Sequence, residues 1–93
     1  MEFTSTIVED QEVRREAVIF GERLRKLRTE RHLTQENLAE AAGITATYTS
    51  DLERGTKVPS LTIVLRLARA FDMDVSQLLV DFRRETVRKL SLD

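Results

Sequence analysis

The stretch that decides the fold is LTQENLAEAAGITATYTSDLERG, residues 33–55. Thr34 and Thr45 stand where helices begin, because a threonine hydroxyl accepts a hydrogen bond from a free backbone N–H of the first turn. Gly43 and Gly55 stand where helices end, because glycine readily adopts the left-handed conformation that closes a helix. A connection this short makes the two helices cross steeply. The stretch therefore predicts two short helices packed against each other at an angle.

Apolar residues before and after this stretch recur every three or four positions, as on one side of a helix, with no strand-like alternation. The spacing predicts five helices in all, at about 10–31, 34–41, 45–54, 60–71 and 75–82. The expected buried sides are Val13, Ala17, Phe20, Leu24 and Leu27 in the first helix and Leu61, Val64, Leu65, Ala68 and Phe71 in the fourth.

These helices place the chain in the all-α class, as a compact five-helix domain over residues 13–82. Residues 1–12 are an N-terminal segment, and residues 83–93 are a tail that either prolongs the last helix or frays. Gly21 lies inside the first helix, where it costs about 1 kcal/mol of helix propensity relative to alanine. His32 and Asp72 occupy helix ends in place of glycine, and both residue types tolerate a positive φ.

The composition argues against several classes of function. The 93 residues contain no cysteine and a single histidine, which leaves no thiolate zinc site and no cysteine nucleophile. A glycine-rich phosphate loop and a converging set of carboxylates are also missing from the sequence. We therefore expect no enzymatic activity, no metal, no cofactor and no small-molecule ligand. The acidic N-terminus and the lack of an apolar run of about 20 residues predict neither a signal peptide nor a membrane segment.

The net charge of −1 hides an uneven distribution of charge along the chain. Residues 12–31 carry seven Arg and Lys against four Glu, and residues 81–93 carry four bases against three acids. Residues 34–58 carry only two bases, Arg54 and Lys57, against four acids. Any attraction of the central stretch to phosphate must therefore come from its flanks.

The segments LRKLRTERHLTQENLAEAAGITATYTSDLERG and VPSLTIVLRLARAFDMDVSQLL resemble the Cro/C1-type (XRE-like) helix-turn-helix domains of phage repressors, restriction-modification controller proteins and many bacterial regulators. The resemblance covers residues 20–79. It rests on Leu-Thr-Gln, Leu-Ala, the glycine at the turn, Glu-Arg-Gly and Pro-Ser-Leu. This combination is specific for the domain but says little about the operator or the pathway.

The resemblance implies that the third helix lies in the major groove of double-stranded DNA. It implies a phosphate contact for Gln35, contacts to base edges for Thr45, Ala46, Thr47, Ser50 and Asp51, and positions beside the DNA backbone for Arg54 and Lys57. Tyr48, the only tyrosine, either contacts a base or sugar or is half-buried with its hydroxyl at the surface.

Ala46 and Asp51 depart from many relatives, which carry Arg, Lys or Gln at these positions. The methyl groups of Ala46 and Thr47 can pack against thymine, and the Asp51 carboxylate can accept a hydrogen bond from cytosine N4. Because phosphates repel a carboxylate, we expect Asp51 to penalise DNA sites that offer it no donor. We expect modest affinity per half-site, supported by helix N-terminal amides, by flanking basic residues such as Arg23, Lys26 and those of the tail, and by DNA shape.

Arg28 and Glu53 match a pair that links the first and third helices in relatives, which implies a partly buried, bidentate salt bridge; two solvated side chains are the alternative. A homodimer is also expected, because one small domain contacts only about 600–1,000 Å² of DNA. Leu79, Val80 and Phe82, at the end of the fifth helix, are the candidate dimer surface.

Two functions remain as hypotheses. The first is a sequence-specific DNA-binding transcriptional regulator, cytoplasmic and nucleoid-associated, that acts as a homodimer on a pseudo-palindromic operator. Such a protein serves as a restriction-modification controller or a small repressor, and it occludes or recruits RNA polymerase. The second is an antitoxin-like or other protein-interaction module whose DNA binding is secondary, a reading that the acidic third helix keeps open.

Overall fold

The computed structural model describes residues 14–93, and every regular element in that range is an α-helix. The helices, in chain order, are α1 (Arg15–Glu30), α2 (Gln35–Ala42), α3 (Ala46–Arg54), α4 (Leu61–Phe71), α5 (Val75–Leu78) and α6 (Arg84–Lys89). The all-α class predicted from the sequence is confirmed, with six helices in the described residues where five were predicted.

The first and last predicted helices differ from the observed ones. Arg14 is extended (φ −77°, ψ 132°), so α1 begins at Arg15, later than the predicted start near residue 10; Val13 lies outside the described residues. The fifth helix ends at Leu78 instead of residue 82. Leu78 is fully buried, and the chain then turns so that Phe82 packs back against the core. The tail forms a separate short helix, α6, and does not prolong α5.

The hydrophobic core is built from one leucine of each of the first five helices. These side chains have essentially no exposed surface: Leu24, Leu38, Leu52, Leu67 and Leu78. Burying a leucine contributes about 1.5–3 kcal/mol relative to leaving it in water. Each of the five helices therefore gains about this much free energy from packing its leucine against the others. Ala17, Phe20 and Leu27 of the predicted α1 stripe are also buried.

The predicted buried side of α4 is partly wrong. Val64, Ala68 and Phe71 are buried as predicted, together with Leu67. However, Leu61 is 69% exposed and Leu65 is 48% exposed. The buried residues of α4 follow the spacing i, i+3, i+4, i+7 from Val64. Leu65 is the next residue after Val64 and so points away from the core, and Leu61 lies one turn before the first buried residue.

The helix ends are formed by the residues that the sequence assigned to them. The Thr34 hydroxyl accepts from Asn37 N, and the Thr45 hydroxyl accepts from Tyr48 N. Gly43 (φ 73°) and Gly55 (φ 77°) close α2 and α3 in the left-handed conformation. Two residues that are not glycine, His32 (φ 57°) and Asp72 (φ 54°), adopt the same conformation. Because these caps fix both ends of α2 and α3, they fix the turn between them.

Helices α1 and α3 approach each other closely at Gly21. A Cβ atom at this position would lie 2.3 Å from the Leu52 carbonyl oxygen and 2.6 Å from the Glu53 carbonyl oxygen. At the end of α3, a Cβ at Gly55 would lie 2.9 Å from the Val18 Cα. Glycine at position 21 lowers the helix propensity of α1, but its lack of a Cβ allows the backbone of α3 to pack directly on α1.

Candidate nucleic-acid interface

Helix α3 has an inner and an outer side of different character. On the inner side Thr49, Leu52 and Glu53 are buried, and the Thr49 hydroxyl donates to the Thr45 carbonyl at 3.0 Å. On the outer side Thr47 and Arg54 are exposed. The flanks between them carry the half-buried residues Ala46, Tyr48, Ser50 and Asp51. The helix therefore presents a mostly small and polar surface to solvent.

Three helices meet at the buried carboxylate of Glu53. Arg28 of α1 donates to both carboxylate oxygens, from Nε to Oε2 at 2.6 Å and from Nη2 to Oε1 at 3.1 Å. Gln35 of α2 donates from Nε2 to Oε1 at 3.0 Å. Arg28 Nη1 also donates to the Leu33 carbonyl oxygen at 2.8 Å. The Glu53 side chain is only 3% exposed, so the carboxylate depends on these donors for its charge to be tolerated.

The charge of Arg28 is secured by the same contact. The hydrogen bond to the Glu53 carboxylate raises the pKa of the Arg28 guanidinium, against the opposing effect of burial. An arginine is already charged at every ordinary pH, so deprotonation of Arg28 does not break this pair. It holds α1, α2 and α3 in one arrangement.

Gln35 and Asp51, two of the residues expected at DNA, already have partners within the domain. Gln35 gives one N–H of its amide to Glu53, which leaves its second N–H for another acceptor. Asp51 accepts a hydrogen bond from Arg54 Nη2, one turn further along α3. Arg54 Nε also points to the Ser50 carbonyl oxygen, at 3.4 Å.

A shallow polar pocket of about 260 Å³ lies where α1, α2 and α3 meet. Its lining combines the exposed Arg25 with residues of the network around Glu53 and with the outer side of α3: Arg25, Arg28, Gln35, Ser50, Glu53 and Arg54. Arg28 is paired with Glu53 and Arg54 with Asp51, so the exposed Arg25 supplies the excess of positive charge at this pocket. Arg25 was not singled out from the sequence, where it is one of seven bases in residues 12–31 and nothing separates it from the others.

The remaining residues expected at DNA lie around α3. Thr45 caps the helix and is exposed, and Lys57 is exposed just beyond its end. The Tyr48 ring is half-buried and packs against the hydrophobic core. The outer side of α3, its flanks and its two ends thus carry every residue that the resemblance places at DNA, apart from Gln35 on α2.

Of the three residues expected at a dimer surface, only Val80 is substantially exposed, at 41%. Leu79 and Phe82 are half-buried and line an apolar groove of about 240 Å³ with Ala17, Phe20, Val58, Pro59 and Val64. Exposed apolar side chains at Val58, Leu61 and Leu65 lie on the segment that leads into α4 and on α4 itself. Leu61 and Leu65 are four residues apart, a spacing that places both on one side of a helix. The sequence predicts that this side is buried, whereas both residues are exposed.

Among the described residues, no group of three or more His, Asp or Glu side chains is arranged to hold a metal ion. None of the helices in residues 14–93 has the length and apolar composition needed to cross a membrane.

Two capped helices joined through Gly43, with the second resting on α1 and facing outward, define a helix-turn-helix domain. A model of the helix-turn-helix domain family matches residues 19–79 of the chain. The chain belongs to this family and is of the Cro/C1 (XRE-like) type, whose members include transcriptional regulators, phage repressors and restriction-modification controllers.

Among its relatives, the HTH-type transcriptional regulator DdrOP3 of Deinococcus deserti is 48% identical over 58 residues, which are 62% of this chain and 45% of that protein. The chain thus spans less than half of this relative. The restriction-modification controller protein C.AhdI of Aeromonas hydrophila has a similar structure (TM-score 0.67, 42% identity), covering 69% of this chain and 97% of that one. The P22 c2 repressor protein, solved in complex with a synthetic operator, is also similar (TM-score 0.60, 28% identity, 64% and 91% covered).

Proposed function

We propose that this protein is a sequence-specific regulator of transcription that binds double-stranded DNA as a homodimer on a pseudo-palindromic operator. The observation that carries the proposal is the outward side of α3. Its inner side is fixed to α1 by Gly21 and by the Arg28–Glu53 pair, while Thr47 and Arg54 face solvent. A rigid helix with a free polar side is the element that enters a major groove in helix-turn-helix domains.

The contacts expected at the DNA divide into two kinds. Thr47, Ser50 and Asp51 offer small hydrogen-bonding groups to base edges, and Ala46 offers a methyl group to thymine. The second N–H of Gln35, the exposed Arg25 and Lys57 serve the phosphates, because the helix itself brings little positive charge. In this arrangement α3 contacts the base edges, and the phosphate contacts on either side of α3 hold the domain on the DNA.

A second copy of the chain is the partner we assign to the apolar surface formed by Val58, Leu61, Leu65 and Val80. These four residues are 41–69% exposed, and Val58 also lines the apolar groove that contains Leu79 and Phe82. A monomeric protein rarely leaves so many large apolar side chains exposed together. A two-fold pair fits the operator as well, because two half-sites about 34 Å apart require two recognition helices related by symmetry.

The likeness to controller proteins and phage repressors supports a small regulator of this kind, either a restriction-modification controller or a repressor. Bound at an operator that overlaps a promoter, the dimer would occlude RNA polymerase; bound upstream of one, it would recruit the polymerase. We infer that protein concentration sets the occupancy, since a dimer forms and binds more readily as its concentration rises.

A gel-shift titration with the DNA upstream of the protein's own gene tests the proposal. Binding should be saturable, compete poorly with unrelated DNA and weaken steeply between 50 and 200 mM salt, through release of counterions (about 0.9 in log K per log salt for each phosphate contacted). The substitution Thr47→Ala should reduce the preference for the operator, whereas Lys57→Ala should weaken binding to every sequence alike. Absence of binding at low salt would overturn the proposal and favour an antitoxin-like or other protein-interaction module.

A further inference from the structure

The outer side of α3 carries no unpaired charge. The helix contains three charged residues, Asp51, Glu53 and Arg54. Glu53 is neutralised by Arg28 in the buried pair, and Arg54 is paired with Asp51 on the surface. The recognition helix therefore approaches DNA with its only cation already engaged by a carboxylate of the same helix.

The two partners of the surface pair differ in exposure. The Arg54 side chain is 63% exposed, whereas the Asp51 side chain is 21% exposed and lies against the helix. Arg54 donates to one oxygen of the carboxylate, Oδ1, so a base that is to donate to that oxygen must displace the guanidinium. An exposed pair one turn apart stabilises a helix only weakly, so this displacement is easy when another donor replaces the guanidinium.

DNA competes for both members of the pair, with opposite signs. A phosphate attracts the Arg54 guanidinium and repels the Asp51 carboxylate. On DNA that offers Asp51 no donor, breaking the pair gains one phosphate contact but leaves a bare carboxylate in the groove. On DNA that presents a cytosine N4 amino group to Asp51, the carboxylate keeps a donor and Arg54 is released to the phosphate or to a base edge.

We propose that the Asp51–Arg54 pair is a specificity-determining unit: Asp51 withholds Arg54 from non-cognate DNA and releases it at sites that provide a replacement donor. The inference rests on the proposed function, because it concerns how the same surface discriminates between DNA sequences. Asp51 then acts in two ways, as a base-contacting group on cognate DNA and as a group that occupies Arg54 on all other DNA.

The test is a double-mutant cycle with Asp51→Asn, Arg54→Gln and the double variant, measured by fluorescence anisotropy over a salt series. The probes are a 24-base-pair duplex of random sequence and a duplex selected in vitro from a random pool with the wild-type protein. On the random duplex, Asp51→Asn should bind about tenfold more tightly and its salt slope should steepen by about 0.9, the value for one additional phosphate contact. Arg54→Gln should abolish that gain in the Asp51→Asn background.

On the selected duplex the roles of the residues should reverse. Arg54→Gln should weaken binding of the otherwise wild-type protein about tenfold there, but less than about twofold on the random duplex. The matched control is Asp72→Asn, which removes one negative charge with the same change of atoms at the end of α4, where asparagine tolerates the positive φ. It should leave the salt slope on the random duplex unchanged. Thermal unfolding followed by circular dichroism should be similar for all four variants, since the altered side chains are at the surface.

Two results separate this inference from the proposed function. If selection with the wild-type protein enriches no duplex and the random duplex is not bound at 50 mM salt, the proposed function fails. If it binds the selected duplex but Asp51→Asn and Asp72→Asn change the salt slope equally, Arg54 is not withheld and the inference is wrong. The inference is also wrong if Arg54→Gln reduces random-duplex affinity as much in the presence of Asp51 as in its absence.

Discussion

Glu53 shows how one buried charge can organise a domain of this size. Its carboxylate accepts hydrogen bonds from Arg28 and Gln35, which lie 25 and 18 residues earlier in the chain. Burying a carboxylate is unfavourable unless donors surround it, so the folded chain requires these three helices together. The network also orients the Gln35 amide, because one of its two N–H groups is fixed on Glu53 and the other is directed elsewhere.

We predict that Arg28→Ala lowers the free energy of unfolding by about 3–5 kcal/mol, because it leaves the Glu53 charge buried without its main partner. Urea denaturation followed by circular dichroism measures this loss. Arg25→Ala removes an exposed arginine from the same helix and should change the stability by less than about 0.5 kcal/mol. Equal midpoints for the two variants would mean that the buried pair does not stabilise the fold.

Among single residues, Arg28 and Glu53 illustrate what could be expected in advance and what could not. The resemblance to the family implied that the two would pair, and they lie in contact in the structure. The bond from Gln35 to Glu53 was not expected, because no local pattern relates residues 18 positions apart on different helices. The Asp51–Arg54 pair has a spacing of three, which permits contact on a helix, but the spacing alone does not decide which way two long side chains turn.

The packing of α1 against α3 decides where the recognition helix lies. The two helices approach closely at Gly21, where the facing atoms of α3 are backbone, and at Gly55, which lies against Val18. From the sequence alone, Gly21 is expected to destabilise the first helix, since glycine has a low helix propensity. In the structure the same residue is a contact point, because only a hydrogen atom fits between α1 and the carbonyl groups of Leu52 and Glu53.

We predict that Gly21→Ala destabilises the domain by about 1–3 kcal/mol through overpacking, even though alanine gains about 1 kcal/mol in helix propensity. The variant should also bind the operator more weakly, since α3 must move away from α1. Chemical denaturation and a gel shift measure the two effects. Glu22→Ala, at the neighbouring exposed position, introduces the same residue without the clash and should change the stability by less than about 0.5 kcal/mol. A Gly21→Ala variant that is more stable than wild type would contradict the close approach.

The ends of the inner helices could be predicted from the sequence, whereas the outer surface of α4 could not. Capping depends on residues next to one another in the chain, so Thr34, Gly43 and Asp72 mark real boundaries. Which leucines of α4 are buried depends on the direction from which neighbouring helices approach, and a stripe of period 3.6 is satisfied by several choices. For the same reason Leu65 was assigned to the core although it is half exposed.

We predict that Leu65→Glu weakens dimerisation about thirtyfold, as loss of about 2 kcal/mol at a central interface residue would do. Sedimentation equilibrium measures the dissociation constant. The matched control is Ala41→Glu, which introduces the same charge at an exposed position of α2, outside the apolar surface. If both variants associate like the wild type, either the chain is monomeric or it pairs through another surface.

Across the part of the molecule described, most basic residues lie away from α3, the helix proposed to contact base edges. The chain has a net charge of −1, so it gains little from general attraction to DNA. The bases of residues 12–31 are concentrated on α1, while α3 carries one base, which is paired. In the proposed homodimer, weak general attraction would make the affinity for an operator depend on simultaneous use of two domains.

We therefore predict that a duplex carrying one half-site binds at least about 100-fold more weakly than the full operator, because the second contact of a dimer is made at high effective concentration. Titration of both duplexes by fluorescence anisotropy gives the ratio. A full-length duplex in which the second half-site is scrambled controls for DNA length. Equal affinity for one and two half-sites would show that the protein does not act as a symmetric pair on DNA.

The close fit of α3 on α1 has a further consequence for how regulators of this shape diversify. The side chains that anchor α3 point inward, and those that face outward hydrogen-bond only within α3 and its own cap in the part of the chain described. Thr47, Ser50 and Asp51 can therefore be exchanged without rebuilding the scaffold beneath them. Under the proposed function, a duplicated gene that acquires a few substitutions at these positions would encode a protein with the same fold and a different preferred DNA sequence.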